Sequence, residues 1–67
     1  MSVARVTEIS STSDVSFEDA IKQGISRASK TLRNVKGAWI KEQQIDIDNG
    51  KVTRYRVNML VTFILDD

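Results

Sequence analysis

From Ala38 to the C-terminus, apolar and polar residues alternate with a period of two, and Asp48-Asn49-Gly50-Lys51 cuts that run in half. Asn-Gly readily supplies the positive φ angles of a type I′ turn, so the two halves fold back on each other as a hairpin. A tip at Asn49 and Gly50 sets the register. It predicts Ile47 opposite Val52, Ile45 opposite Arg54, Gln43 opposite Arg56, Lys41 opposite Asn58 and Trp39 opposite Leu60. On the other face, Ile40 meets Met59, Glu42 meets Val57 and Gln44 meets Tyr55. The last strand, about Lys51 to Leu65, carries a continuous apolar face of Val57, Met59, Val61 and Phe63. Such a face demands a cover.

The cover lies upstream. Ser16 can cap free backbone N–H groups, and Glu18 and Asp19 place negative charge at the positive end of a helix. Phe17, Ala20, Ile21, Gly24, Ile25, Ala28 and Leu32 then recur at helical spacing, with Lys22, Arg27, Lys30 and Arg33 off that stripe. Asn34 to Gly37 closes the helix. Ahead of it, the β-branched Val3 to Ile9 reads as a first strand, and the serine-rich residues 10 to 13 as a polar loop. The fold class is α+β: β-α-β-β, a three-stranded antiparallel sheet partly wrapped around one helix, as a single domain over residues 1–67. One helical stripe covers one sheet face. The other face, with Arg54, Arg56, Asn58, Leu60, Thr62 and Ile64 beside Trp39, Lys41 and Gln43, is left for a partner subunit or a ligand.

Size sharpens that expectation. A compact chain of 67 residues keeps about 4,200 Å² of surface exposed and buries only about 60% of what it shows when extended. Domains this small often rely on disulfides or zinc, and this chain has no Cys and no His. Oligomerisation is the remaining common support. The same absences exclude His-based acid–base chemistry, a catalytic triad and thiol catalysis. No paired carboxylates are placed for acid–base work: Glu18-Asp19 serve a helix N-terminus, and Asp66-Asp67 form a solvated tail. The N-terminus lacks the apolar run of a signal peptide, and the longest apolar-leaning stretch, Val57 to Leu65, is far short of the roughly 20 residues of a membrane span. The expected location is cytoplasmic. Ten basic and nine acidic residues, without blocks, give no footprint for duplex nucleic acid. A single-strand module using Tyr55, Trp39, Arg54 and Arg56 lacks both the charge and a recognised motif.

The helix reading Ala20-Ile21 and then Ala28-Ser29-Lys30-Thr31-Leu32-Arg33, the strand with an early Trp, the Asn-Gly hairpin, and Tyr55-x-Val57 leading to Val61-x-Phe63-x-Leu65 resemble the dodecins over nearly the whole chain. The resemblance implies a non-catalytic, hollow homododecamer that binds flavin (FMN or riboflavin) for storage or protection. In that family, flavins lie between Trp side chains of symmetry-related subunits, and a Gln on the last strand meets the ring edge. It implies stacking by Trp39, with Arg56 and Gln44 as polar contacts. The alternative is a dodecin-like shell that binds no flavin and serves as an assembly or sequesters another small ligand or ion.

Two departures keep both readings open. Arg56 follows Tyr55 where the family carries Gln, and arginine donates hydrogen bonds but cannot accept them. Family members place Trp four residues after Thr-Leu-Arg, a position that falls on Gly37 here. Trp39 is two residues further on, the same face but about 6.6 Å along the strand. Either a local insertion returns Trp39 to the stacking position or the usual sandwich is missing. Trp39 reads equally as an interface anchor. Arg56 reads as an ion-pair partner across an interface, with Glu42 or Asp46 of a neighbour, and Gln43 and Gln44 as polar sheet residues. Asp46-x-Asp48-Asn49-Gly50 resembles the opening of a calcium loop, but Gly falls fifth and position twelve is Val57, so the hairpin accounts for it and no metal ligand is assigned. Calcium binding reported for some dodecin relatives leaves a site assembled between subunits open.

Overall fold

The computed structural model describes residues 3–65, which form β1 (Ala4–Ser13), α1 (Phe17–Thr31), β2 (Val35–Asp48) and β3 (Lys51–Ile64). The strands make one antiparallel sheet in the order β1-β3-β2. This is the β-α-β-β architecture expected from the sequence. Asn49 (φ 54°) and Gly50 (φ 77°) both occupy the left-handed region, as a type I′ turn requires. Ser16 caps α1 by accepting a hydrogen bond from the Asp19 N–H at 3.0 Å. At the other end, the Leu32 N–H reaches Ala28 O at 2.9 Å, and Asn34 turns the chain into β2 with φ 59°. The tail residues Asp66-Asp67 lie outside the described residues.

Two expectations need correction. Residues 10–13 are not a loop. β1 runs through them to Ser13, pairing Ser10 to Ser13 with Asn58 to Tyr55. Sheet pairing with a long neighbour outweighs the weak strand preference of serine. Ser13 is buried, and its hydroxyl donates to Asp19 Oδ2 at 2.6 Å and accepts from the Val15 N–H at 2.9 Å. The serine therefore ties the strand end to the first turn of α1.

The second correction concerns register. Trp39 lies opposite Leu60, Ile40 opposite Met59 and Ile47 opposite Val52, as the turn predicts. Between them, one bulge places Lys41 as an extra residue on β2 and another places Thr53 as an extra residue on β3. The two cancel at the ends but shift the middle by one. Glu42 faces Asn58, Gln43 faces Val57, Gln44 faces Arg56, Ile45 faces Tyr55 and Asp46 faces Arg54. A one-residue shift exchanges sheet faces. Glu42, Gln44 and Asp46 therefore share the face of Arg56, while Gln43 moves to the helix side.

Ala20, Val57, Met59 and Val61 are fully buried, with Ile9, Phe17, Ile21, Ile25, Leu32 and Val35 packed around them. All the fully buried side chains of β3 project from one face, the one α1 covers. Phe17 closes one end with an edge-on ring contact to Tyr55 at 5.1 Å. Gly24 lets the helix approach closely: a Cβ there would sit 2.5 Å from Met59 Cε and 3.0 Å from Ser11 Cβ. Gly24→Val is therefore expected to cost about 1–3 kcal/mol through overpacking, read as a lowered urea midpoint. An unchanged midpoint would show that helix and sheet separate freely here.

The chain is long and thin, 52 × 19 × 13 Å, with a radius of gyration of 13.8 Å. A compact domain of this length would have a radius of about 11 Å. Its exposed area of 5064 Å² exceeds by about 800 Å² that of a compact monomer of its mass. The hairpin contributes to this elongation. β1 ends at Ser13, opposite Tyr55, so the β2–β3 arm continues past it with neither a third strand nor a helix over it. Among the described residues, no helix is long and apolar enough to cross a membrane.

Candidate functional site

The sheet face turned away from α1 is built in rows across the three strands. From one end these are Val6, Thr62 and Gly37; Glu8, Leu60 and Trp39; Ser10, Asn58 and Glu42; Thr12, Arg56 and Gln44; and finally Arg54 and Asp46. Because side chains alternate along a strand, every member of these rows projects from the same side.

Trp39 is 67% exposed, an unusual state for the largest apolar side chain of a small chain. Leu60 lies directly across from it and Gly37 precedes it on the same face. A Cβ at Gly37 would meet nothing within 4 Å, so the sheet is bare beside the indole. The outcome is a rigid, flat apolar platform at one end of the face. A further bulge at Lys36 takes up one residue between α1 and Trp39, whereas the bulges between Trp39 and the turn leave no net offset.

The polar residues gather at the other end. Arg56 Nη2 lies 3.5 Å from Asp46 Oδ2 of its own chain, with both side chains about one-third exposed. That pairing draws the guanidinium toward the hairpin tip. Gln44, opposite Arg56, completes the set. Between the two ends, Asn58 Nδ2 donates to Glu42 Oε1 at 2.9 Å, and Lys41 Nζ lies 3.3 Å from Glu8 Oε2, reaching across β3. Exposed pairs of this kind contribute about 0–1 kcal/mol each. They orient side chains more than they hold the fold.

Of the residues singled out from sequence, the structure brings Arg56 and Gln44 together as cross-strand partners. Trp39 stands four residues along β3 from Arg56, about 13 Å away. One chain does not gather all three into one pocket. Sequence reasoning named Asp46 as a partner for Arg56 but placed it on a neighbour, whereas it pairs with Arg56 within the same chain. Its place beside Arg56 depends on the paired bulges, which leave no trace in the alternation. Among the described residues, no group of three or more acidic side chains is arranged to hold a metal ion.

Comparison with known proteins gives a consistent outcome. The family model described as Dodecin matches residues 3–66. The chain is 36% identical over 64 residues to the protein named calcium dodecin from Mycobacterium tuberculosis, covering 94% of this chain and 89% of that protein. The solved structure of a dodecin from Streptomyces davaonensis is similar at a TM-score of 0.92 and 36% identity, covering 98% of this chain and 97% of that one. A variant of the Thermus thermophilus dodecin is similar at a TM-score of 0.93 and 33% identity, covering 100% of this chain and 98% of that one.

Proposed function

The chain belongs to the dodecin family, and from that premise we propose that it is a non-catalytic ligand-binding protein. It works as a homo-oligomer, most simply a dodecamer, and holds a flavin (FMN or riboflavin) against Trp39 where copies meet. The observation that carries this reading is the 67% exposure of Trp39 on a bare, rigid sheet face. An isoalloxazine ring is flat, and an indole offers it a stacking surface that a strand keeps in place. The site needs a second copy, since one face of the flavin stacks on one indole and the other is open. Arg56 and Gln44 supply polar contacts to ring carbonyls, ribityl hydroxyls or phosphate, and guanidinium suits the phosphate of FMN best. The carboxylates described on this face, Glu8, Glu42 and Asp46, are engaged by Lys41, Asn58 and Arg56 respectively, which supports a role in storage or protection.

The relative named calcium dodecin favours a second reading, in which a divalent cation is the ligand. No single chain collects three acidic ligands among the described residues, so such a site draws carboxylates from more than one copy.

One set of titrations distinguishes the two. Riboflavin and FMN are mixed separately with purified protein and flavin emission is followed. Strong quenching at micromolar protein is expected, and tighter binding of FMN than riboflavin is expected if Arg56 meets the phosphate. Unchanged flavin emission, together with terbium luminescence sensitised by Trp39 and displaced by calcium, would replace the flavin reading with the cation one.

A further inference from the structure

We propose that the groove between α1 and β1 is a second ligand site, apart from the Trp39 platform, and that it takes a sugar phosphate. The groove has a volume of about 700 Å³, within the range of pockets that hold small molecules. Thr7, Ser10, Ser11 and Thr12 line it from β1, and Gln23 and Arg27 line it from α1. Ile9 and Leu32 add a small apolar patch. Hydroxyl, amide and guanidinium groups therefore dominate the surface, and a hydroxylated anion is the ligand they match.

The hydrogen-bonding capacity of this lining is unused within the chain. Among the described residues, the side chains of Thr7, Ser10, Ser11, Thr12 and Arg27 make no hydrogen bond or ion pair. Gln23 donates from Nε2 to Asp19 Oδ2 at 2.5 Å, which leaves its amide oxygen able to accept. β1 is also an edge strand, so alternate backbone N–H and C=O groups point away from β3 and extend the set. Ser13 shows the contrast at the end of the same strand. Its hydroxyl is buried and engaged by both Asp19 and the Val15 N–H.

Charge selects the ligand. No Asp or Glu occurs between Asp19 and Glu42, a stretch that carries Lys22, Arg27, Lys30, Arg33, Lys36 and Lys41. The carboxylates of β1 and of the first turn of α1 are already engaged: Glu8 by Lys41, Glu18 by Lys22, and Asp19 by Ser13 and Gln23. Asp14 shares a separate hollow with Arg54. Arg27 therefore has no internal counterion, and Lys30, a neighbour on the helix surface, adds to the positive field. A guanidinium holds a phosphate through two parallel N–H donors. The β1 hydroxyls, each both donor and acceptor, match the hydroxyls of a sugar. Trp39 lies on β2, two strand spacings or about 10 Å across the sheet from β1, so a ligand in the groove leaves the indole free. The site is complete within one chain and rests on neither self-association nor flavin binding.

Calorimetric titration of the purified wild-type protein with ribose 5-phosphate, ribose, inorganic phosphate and AMP tests the site. Ribose 5-phosphate is expected to bind about tenfold or more tightly than ribose or phosphate alone, because only it engages both Arg27 and the hydroxyls. Tighter binding of AMP would place the group within a nucleotide, and weaker binding would favour a free sugar phosphate; either supports the site. Arg27→Gln is expected to weaken ribose 5-phosphate about tenfold or more, and the isosteric Thr7→Val about threefold. Lys51→Gln, at the hairpin turn, controls for net charge and should change nothing. Arg27 is exposed and unpaired, so its variant should keep the far-ultraviolet circular dichroism of the wild type. No binding of ribose 5-phosphate at millimolar concentration, equal affinity for inorganic phosphate, or an unchanged Arg27→Gln would each overturn the proposal. So would competition by riboflavin, which would move the sugar phosphate to the Trp39 platform.

Discussion

Met59→Ala is expected to remove about 2–5 kcal/mol of stability, enough to leave the chain largely unfolded at moderate urea. Met59 is fully buried at the centre of β3 between Val57 and Val61, on the face that α1 covers. Its terminal methyl fills the space that Gly24 leaves open on the helix. Truncation at this point leaves a cavity between two elements held apart by their neighbours, and such cavities collapse poorly. A chain of this length has a total stability of about 3–10 kcal/mol, so the loss is a large share of the whole. Urea denaturation at fixed protein concentration measures it, since self-association makes the midpoint depend on concentration. Met59→Leu is the control, expected to cost less than about 1.5 kcal/mol because volume is kept. A Met59→Ala midpoint within about 0.5 kcal/mol of wild type would show that stability resides in the intersubunit contacts and not in this core.

That core was legible because two independent patterns converge on it. The helical stripe from Phe17 to Leu32 and the alternation from Val57 to Phe63 each name a single apolar face, and the Asn49-Gly50 turn fixes which residues of β2 and β3 are opposite each other at both ends of the hairpin. The site was less legible. The bulges at Lys41 and Thr53 fall on opposite strands, so each undoes the other's shift before the ladder reaches Trp39. Alternation reports faces only while the ladder is regular, and it contains no sign of a paired slip. The consequence is confined to the middle of the hairpin but decisive there. Gln44 rather than Gln43 lies across from Arg56, and Asp46 comes within 3.5 Å of its guanidinium. The serines at 10 to 13 misled for a different reason. Their local preference favours a turn, yet pairing with β3 and the hydrogen bond from Ser13 to Asp19 hold them extended.

The same geometry explains why the chain's small size shapes its function. One helix of fifteen residues covers part of one face of a sheet whose strands β2 and β3 each run for fourteen. What it leaves uncovered divides into two surfaces of different character. On the helix side of the hairpin, Ile45, Ile47 and Val52 are aliphatic and exposed. The opposite face mixes an aromatic platform with charged and amide groups, a combination suited to a ligand that enters and leaves.

Trp39→Ala tests that division most severely. If a flavin lies between the indoles of two copies, the substitution removes both walls of the site at once, because every copy carries it. Base–aromatic stacking contributes about 1–3 kcal/mol per face, and isoalloxazine offers a comparable or larger π surface. Losing two faces should cost about 2–6 kcal/mol, a drop in affinity from about 30-fold to about 10⁴-fold. Quenching of flavin emission should disappear with it. Trp39→Phe keeps a smaller ring in the same place and should retain part of both. The fold gives these variants little reason to fail. Trp39 is 67% exposed and lies outside the buried cluster, so the unfolding midpoint should move by no more than about 0.5 kcal/mol. An unchanged midpoint with lost quenching identifies Trp39 as a ligand wall. The reverse pattern, a smaller assembly with quenching preserved, would make Trp39 an interface anchor and send the search for the flavin back to the row of Arg56 and Gln44.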